Sequence, residues 1–223
     1  MVDRIRNDAP VLVVGLGRFG AACAGELDRL GREVLAIDES HELVQKWSEG
    51  VPHPVQGDAR NLEALKQIGA QDFSVAVVAV GSLIEASVLI TANLVDMQVP
   101  QIWAKAVSQA HGKILSRVGA HHVIYPEREA GERVAHLVSG RMLDFIRFDD
   151  DFVLAKMYPP KFIRGVGLHE SRVRSKYKIT VVGVKSPGKE FRYAEANTVI
   201  SNHDLIIVSG TNLDVERFAA LDR

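Results

Sequence analysis

This 223-residue chain has one cysteine, no excess of either charge and no long apolar run, and each scarcity closes a class of protein. Cys23 alone can build neither an internal disulfide nor a cysteine metal cluster. No stretch approaches the ~18–20 apolar residues of a membrane span, and the first residues carry no signal-peptide pattern. Lys and Arg number 27 against 28 Asp and Glu, so a formal charge of -1 gives no general pull towards nucleic acid or anionic lipid. No nucleic-acid partner and no direct membrane insertion are expected. The chain reads as cytoplasmic, or peripheral to a membrane only through a partner.

What the chain has, with 47% hydrophobic and 25% charged residues, is the make-up of a soluble globular protein. Its organising stretch is VLVVGLGRFG, Val11 to Gly20. Four apolar, mostly β-branched residues read as a strand buried on both faces. They lead into Gly15, Gly17 and Gly20, the G-x-G-x-x-G spacing, and then into a helix-compatible run with Cys23 on it. The first glycine suits a tight turn, the second a close backbone approach to a pyrophosphate, the third close packing of helix on strand. The helix start then offers free N–H groups and positive potential to an anion. A bare glycine fingerprint is weak, but here a second strand follows and ends in Asp38, 18 positions beyond Gly20. That is close to the spacing of an acid that accepts from a ribose hydroxyl.

The strand–turn–helix unit then recurs. The third strand ends at Gly57 and Asp58, the helix after it opens with Asn61 as N-cap, and SVAVVAVG reads as a central parallel strand. A helix opened by Ser82, the strand QIWAKA, another helix and the strand HHVIYP complete the alternation. The expected fold is α/β, a Rossmann-like doubly wound parallel sheet whose ligands sit at the strand carboxyl ends. From Glu127 to Phe148, apolar residues at helical spacing (Val134, Leu137, Val138, Met142, Phe145, Ile146) predict one long amphipathic crossover helix. Residues 1–148 are therefore assigned to a nucleotide-binding domain that includes this helix. Residues 149–223 are assigned to a smaller α+β domain.

The motifs GLGRFG with Asp38, GDA at Gly57–Ala59, AVGS followed by EASVL between Ala79 and Leu89, IWAKA at Ile102–Ala106 and VIYPEREAG at Val123–Gly131 come in a familiar order. In that order, length and two-domain plan the chain resembles the cytosolic regulatory (TrkA-N plus TrkA-C) subunits of Trk/Ktr potassium uptake systems. It looks most like the Ktr type. The resemblance implies a homodimer assembled into an octameric ring on a multi-span potassium transporter, with ATP or ADP as ligand and NAD(H) as the Trk-type choice. It implies phosphate contacts at Gly15, Gly17, Arg18, Phe19 and Gly20, and a ribose contact at Asp38 with Ser40 beside it. Asp58 and Ala59 would border the adenine. Ala79, Val80 and Gly81 would leave room for ribose and phosphates, and Lys105 would point a cation at the same opening. In the Ktr pattern Arg18 reaches a terminal phosphate across the dimer, and Glu127 contributes to a Mg²⁺ or Ca²⁺ site between subunits. In the second domain, Val173, Arg174 and Ile179 correspond to a cyclic di-AMP cleft of some members.

Two other readings stay open. The same fingerprint opens NAD-dependent oxidoreductases, and fold does not fix function. Yet the eight histidines are scattered, and the adjacent His121 and His122 at a strand start face opposite ways. No nucleophile–base arrangement is evident, so no catalytic residue is assigned. A stand-alone nucleotide sensor is the third reading. No carbonyl-rich filter motif is present, so the chain is not expected to conduct potassium itself.

Overall fold

Val11–Val14 form β1, every residue buried, and the strands beside it repeat the pattern. The computed structural model describes residues 9–81, 83–139, 142–149 and 151–221, and the chain divides after Glu127 into two compact units. In the first unit, helix α1 (Arg18–Arg29) leads to β2 (Val34–Asp38), α2 (His41–Lys46), β3 (Pro54–Gln56), α3 (Leu62–Gln67), β4 (Val75–Val78), α4 (Ile84–Asp96), β5 (Gln101–Lys105), α5 (Gln109–Val118) and β6 (His122–Ile124). The six strands are parallel, in the order β3-β2-β1-β4-β5-β6. This is the doubly wound sheet expected from the alternation. Successive side chains go to opposite faces. Leu12, Val14, Ala76 and Val78 pack into one core, and Val11, Val13, Val75 and Val77 into another. Fully burying each large aliphatic side chain contributes about 1.5–3 kcal/mol. Strand order reverses between β1 and β4, which opens a crevice at their carboxyl ends.

Local chemistry fixes where the helices begin. Ser40 and Asn61 cap α2 and α3, accepting the backbone N–H groups of Leu43 and Glu63 at 3.3 and 2.9 Å. Gly17 occupies the N-cap of α1 in extended conformation. Ser82, expected to open α4, lies outside the described residues; Leu83 is the residue before the first turn.

The second unit runs from Arg128. Helix α6 (Pro126–Val138) is followed by β7 (Asp144–Asp149), β8 (Phe152–Met157), the short helices α7 (Leu168–Ser171) and α8 (Val173–Tyr177), β9 (Thr180–Lys185), β10 (Phe191–Tyr193), β11 (Leu205–Thr211) and α9 (Asn212–Ala219). Its five strands are antiparallel, in the order β10-β9-β11-β8-β7. Val153, Ala155, Met157, Ile206, Val208 and Phe218 form its core.

One expectation fails here. The crossover helix does not reach Phe148, and the division does not fall at residue 148. The helix ends at Val138, and Asp144–Asp149 pairs with β8, from Asp144 opposite Lys156 to Asp149 opposite Phe152. Met142 is buried, and Phe145 packs against the second core. A neighbouring strand supplies ladder hydrogen bonds and a buried face that helical spacing alone cannot reveal, and it takes these residues from the helix.

Candidate functional site

The three fingerprint glycines differ in what holds them. Gly15 has φ +101°, a left-handed conformation that side chains disfavour, and a Cβ there would meet Val80 Cγ2 at 3.0 Å. At Gly20 a Cβ would stand 1.8 Å from the Gly15 carbonyl oxygen and 2.9 Å from Ala79 Cβ. Both glycines are demanded by the fold. Gly17 is different, because a Cβ there meets nothing within 4 Å. It is exposed at the start of α1, facing open space where the helix presents free N–H groups. A phosphate fits that space and a side chain would occupy it.

Asp38 ends β2 beside this turn. Its Oδ2 accepts the Leu16 N–H at 2.6 Å and its Oδ1 accepts the Ser40 N–H at 2.8 Å. Each oxygen keeps lone-pair capacity for a ribose hydroxyl. Ser40 accepts from Leu43 as a helix cap, so its hydroxyl oxygen is committed to α2 and leaves its O–H to offer. Ala79 continues β4, its N–H donating to the Val14 carbonyl at 2.8 Å. Ala79 and Val80 back the glycine turn from behind.

Charge gathers on the other side of the crevice. Lys105 ends β5 largely buried, with 13% of its side chain exposed, and its Nζ pairs with Glu127 Oε1 at 2.5 Å. The ammonium also lies 5.7 Å from the centre of the Phe19 ring. A Cβ on Gly81 would meet Lys105 Cε at 3.3 Å, so this glycine makes room for the lysine stem. The Lys105 ammonium, and to a smaller degree the Arg18 guanidinium, hold the Glu127 carboxyl below the usual glutamate range. Phe19, Lys105 and Glu127 thus meet, and Arg18 stands next to Gly17 at the start of α1. Glu127 is a lone carboxylate already held by a lysine, and no group of three or more metal-ligating side chains occurs among the described residues. One chain by itself therefore does not fit a resident Mg²⁺ or Ca²⁺ ion.

Asp58 and Ala59 follow β3. Ala59 is 5% exposed and belongs to the core. Both Asp58 oxygens are taken by Arg60, whose guanidinium holds this carboxyl below its usual range. Arg60 escaped the sequence reading, because its partners include Glu39, 21 positions away. A short signal was present in the Asp-x-Arg spacing after the strand.

In the second unit the expected cyclic di-AMP residues are not brought to one surface. Val173 on α8 and Ile179 just before β9 are 3% and 0% exposed and sit in the core. Arg174 is exposed and donates to Thr180 Oγ1 at 3.1 Å. A concavity of about 710 Å³ lies elsewhere, lined by Arg192, Tyr193, Glu195, Asn197, Thr198 and Val199. Cys23 packs on the first unit's core, and burial pushes its thiol up. His121 Nδ1 accepts the Ile102 N–H at 3.1 Å, while His122 stacks on Trp103 at 3.9 Å, so each of the two has a packing role. Among the described residues no helix is long and apolar enough to cross a membrane.

Residues 11–126 match the TrkA-N domain family. The chain is 36% identical over 208 residues to Ktr system potassium uptake protein C of Bacillus subtilis, covering 92% of this chain and 94% of that protein. It is 32% identical over 218 residues to Ktr system potassium uptake protein A of the same organism, covering 97% and 98%. In fold it is similar to the RCK domain of GsuK, with a TM-score of 0.65 at 16% identity, covering 100% of this chain and 50% of that one. The GsuK channel bound to NAD gives a TM-score of 0.66 at 15% identity, covering 100% of this chain and 41% of that one. This chain thus spans half or less of those structures' chains. With a TrkA-N domain over residues 11–126 and these relatives matching nearly its whole length, the chain belongs to the family of Ktr-system potassium uptake proteins.

Proposed function

We propose that this chain is a nucleotide-responsive regulatory subunit that gates a membrane potassium transporter. The observation that carries the reading is the open space at Gly17, with Arg18 next to it at the start of α1 and the Lys105–Glu127 pair beside Phe19. Potassium uptake relatives that match nearly the whole chain support the transport role. GsuK structures bound to NAD and to ADP support an adenine nucleotide as ligand.

A ligand shifts a conformational equilibrium only by its differential affinity for the two states. ATP and ADP share base, ribose and two phosphates, so any difference between them arises at the γ-phosphate. Arg18 and Lys105 are the cations beside Gly17, and Arg reads phosphate oxygens bidentately. With Arg18 supplied by a second copy, the γ-phosphate bridges a dimer and sets the angle between its halves. Dimers assembled into an octameric ring would pass that angle to the gate of a multi-span partner at the inner face of the membrane. Glu127 ends the first unit in sequence, and its carboxylate would hold a divalent cation only together with phosphate oxygens. ATP then favours the conducting state and ADP the closed one.

Potassium flux into liposomes holding the partner and this subunit tests the reading. Faster flux in saturating ATP than in saturating ADP is expected; identical flux in both removes the mechanism. Titration of the purified chain with ATP, ADP, NADH and cyclic di-AMP identifies the ligand. Far tighter binding of NADH than of ATP would replace the Ktr-type mechanism with a Trk-type one.

A further inference from the structure

Arg60 follows β3 by four residues and is pinned more thoroughly than its exposure suggests, with 41% of its side chain open to solvent. Nε donates to Asp58 Oδ1 at 2.8 Å, and Nη2 donates to Asp58 Oδ2 at 2.9 Å and to Glu39 Oε2 at 2.8 Å. Its backbone N–H also goes to Asp58 Oδ1 at 2.9 Å, and its carbonyl accepts from Asn93 Nδ2 of α4 at 2.9 Å. An isolated exposed ion pair is worth little, but this one is bidentate and networked. Its three guanidinium bonds come from Nε and Nη2 and are made edge-on to carboxylates from the turns after β2 and β3. The two faces of the guanidinium are left for other contacts. A planar, delocalised and weakly hydrated cation stacks well on aromatic faces.

Sheet order says what would meet that face. Phosphates belong at Gly17, after β1, and the ribose at Asp38, which ends β2. β3 lies on the far side of β2 from β1, one strand spacing or about 4.8 Å further out. A base that continues in this direction passes over the turn carrying Asp58, Ala59 and Arg60. Asp58 spends both oxygens on Arg60, and Ala59 is buried. The guanidinium is the group left to meet a base.

We infer that Arg60 is the base-stacking residue of the nucleotide site and selects purine over pyrimidine through the larger overlap with its flat face. Glu39 and Asp58 are positioning residues that immobilise the guanidinium before a ligand arrives, so less side-chain freedom is lost on binding. This inference rests on the nucleotide site proposed above.

The test is calorimetric titration of the full chain with ATP and with UTP, in wild type, Arg60→Lys, Arg60→Ala and Glu39→Gln. Arg60→Lys keeps the charge and loses the plane, which separates stacking from electrostatics. Wild type is expected to prefer ATP. Arg60→Lys and Arg60→Ala are expected to weaken ATP about tenfold and UTP little, so that the preference narrows. Glu39→Gln should narrow it less. An unchanged ATP-to-UTP ratio in Arg60→Lys, equal losses for both nucleotides, or no preference in wild type overturns the stacking role. Failure of wild type to bind either nucleotide overturns the nucleotide reading itself. Should Arg60→Ala melt early, Arg60→Lys still decides, since a lysine can retain an ion pair with the same carboxylates.

Discussion

The carboxylate of Asp38 accepts the backbone N–H of Leu16 at 2.6 Å across 22 positions of sequence, so the acid expected to meet a ribose also holds the glycine turn. Its other oxygen accepts the Ser40 N–H. Asn has one acceptor where Asp has two, so Asp38→Asn leaves one of these N–H groups facing a donor. That unsatisfied contact costs about 1–3 kcal/mol. Asp38→Asn is expected to lower the thermal midpoint of the nucleotide-free protein as well as its ATP affinity. A calorimetric scan that matches wild type would show that Asp38 does not support the turn.

Gly17 and Gly20 should part company on substitution. Gly17→Val has free space around its new side chain and is expected to fold normally while losing nucleotide binding. Gly20→Ala forces its Cβ onto the Gly15 carbonyl and should cost about 1–3 kcal/mol or more by overpacking. Circular dichroism melts and ATP titration of both variants check the contrast; normal ATP affinity in folded Gly17→Val would remove the phosphate from this turn.

Arg18 is expected to distinguish nucleotides by their terminal phosphate. Arg18→Ala should weaken ATP more than ADP, by roughly the 1.5–3 kcal/mol of a charge-assisted hydrogen bond. Equal losses in parallel titrations would place Arg18 away from the γ-phosphate.

Glu127 gives a pH signature. Lys105 first, and Arg18 second, lower its folded-state pKa. A carboxyl with a folded pKa below its unfolded one stabilises the protein above the unfolded value, about 4.3 for glutamate. That contribution is lost as the pH falls through the depressed folded value. The group is exposed, so the effect on overall stability is small. Lys105→Met should raise the Glu127 titration towards the ordinary range in a carboxyl-carbon NMR experiment. An unmoved titration would show that the pair does not form in solution.

The parallel sheet was legible because its signals are local: β-branched runs, glycine turns and capping residues such as Asn61. The backbone and packing roles of Gly15 and Gly20 could be read for the same reason. The strand Asp144–Asp149 could not, since helical spacing of Met142, Phe145 and Ile146 is compatible with either state until β8 supplies a partner. Gly140 inside the run was the available warning. The burial of Val173 and Ile179 could not be read either, since sequence does not say which residues around α8 meet the second core. Ser40 and Asp58 were named for a ligand, yet each spends acceptor capacity on the protein itself, on the Leu43 N–H and on Arg60. Arg60 joins acids from two different turns, a meeting that only the folded chain makes visible.

The unequal surroundings of the three glycines also bear on how such chains diverge. Gly15 and Gly20 answer to backbone geometry and to each other, so any descendant that keeps this turn must keep both, whatever it binds. Gly17 has no such neighbour, and on the proposed function it answers only to a bound nucleotide. A lineage that ceased to bind nucleotide could drift at that one position while its sheet and first helix stayed intact. Of the three letters in the fingerprint, the middle one would, on the proposed function, be the record of ligand use.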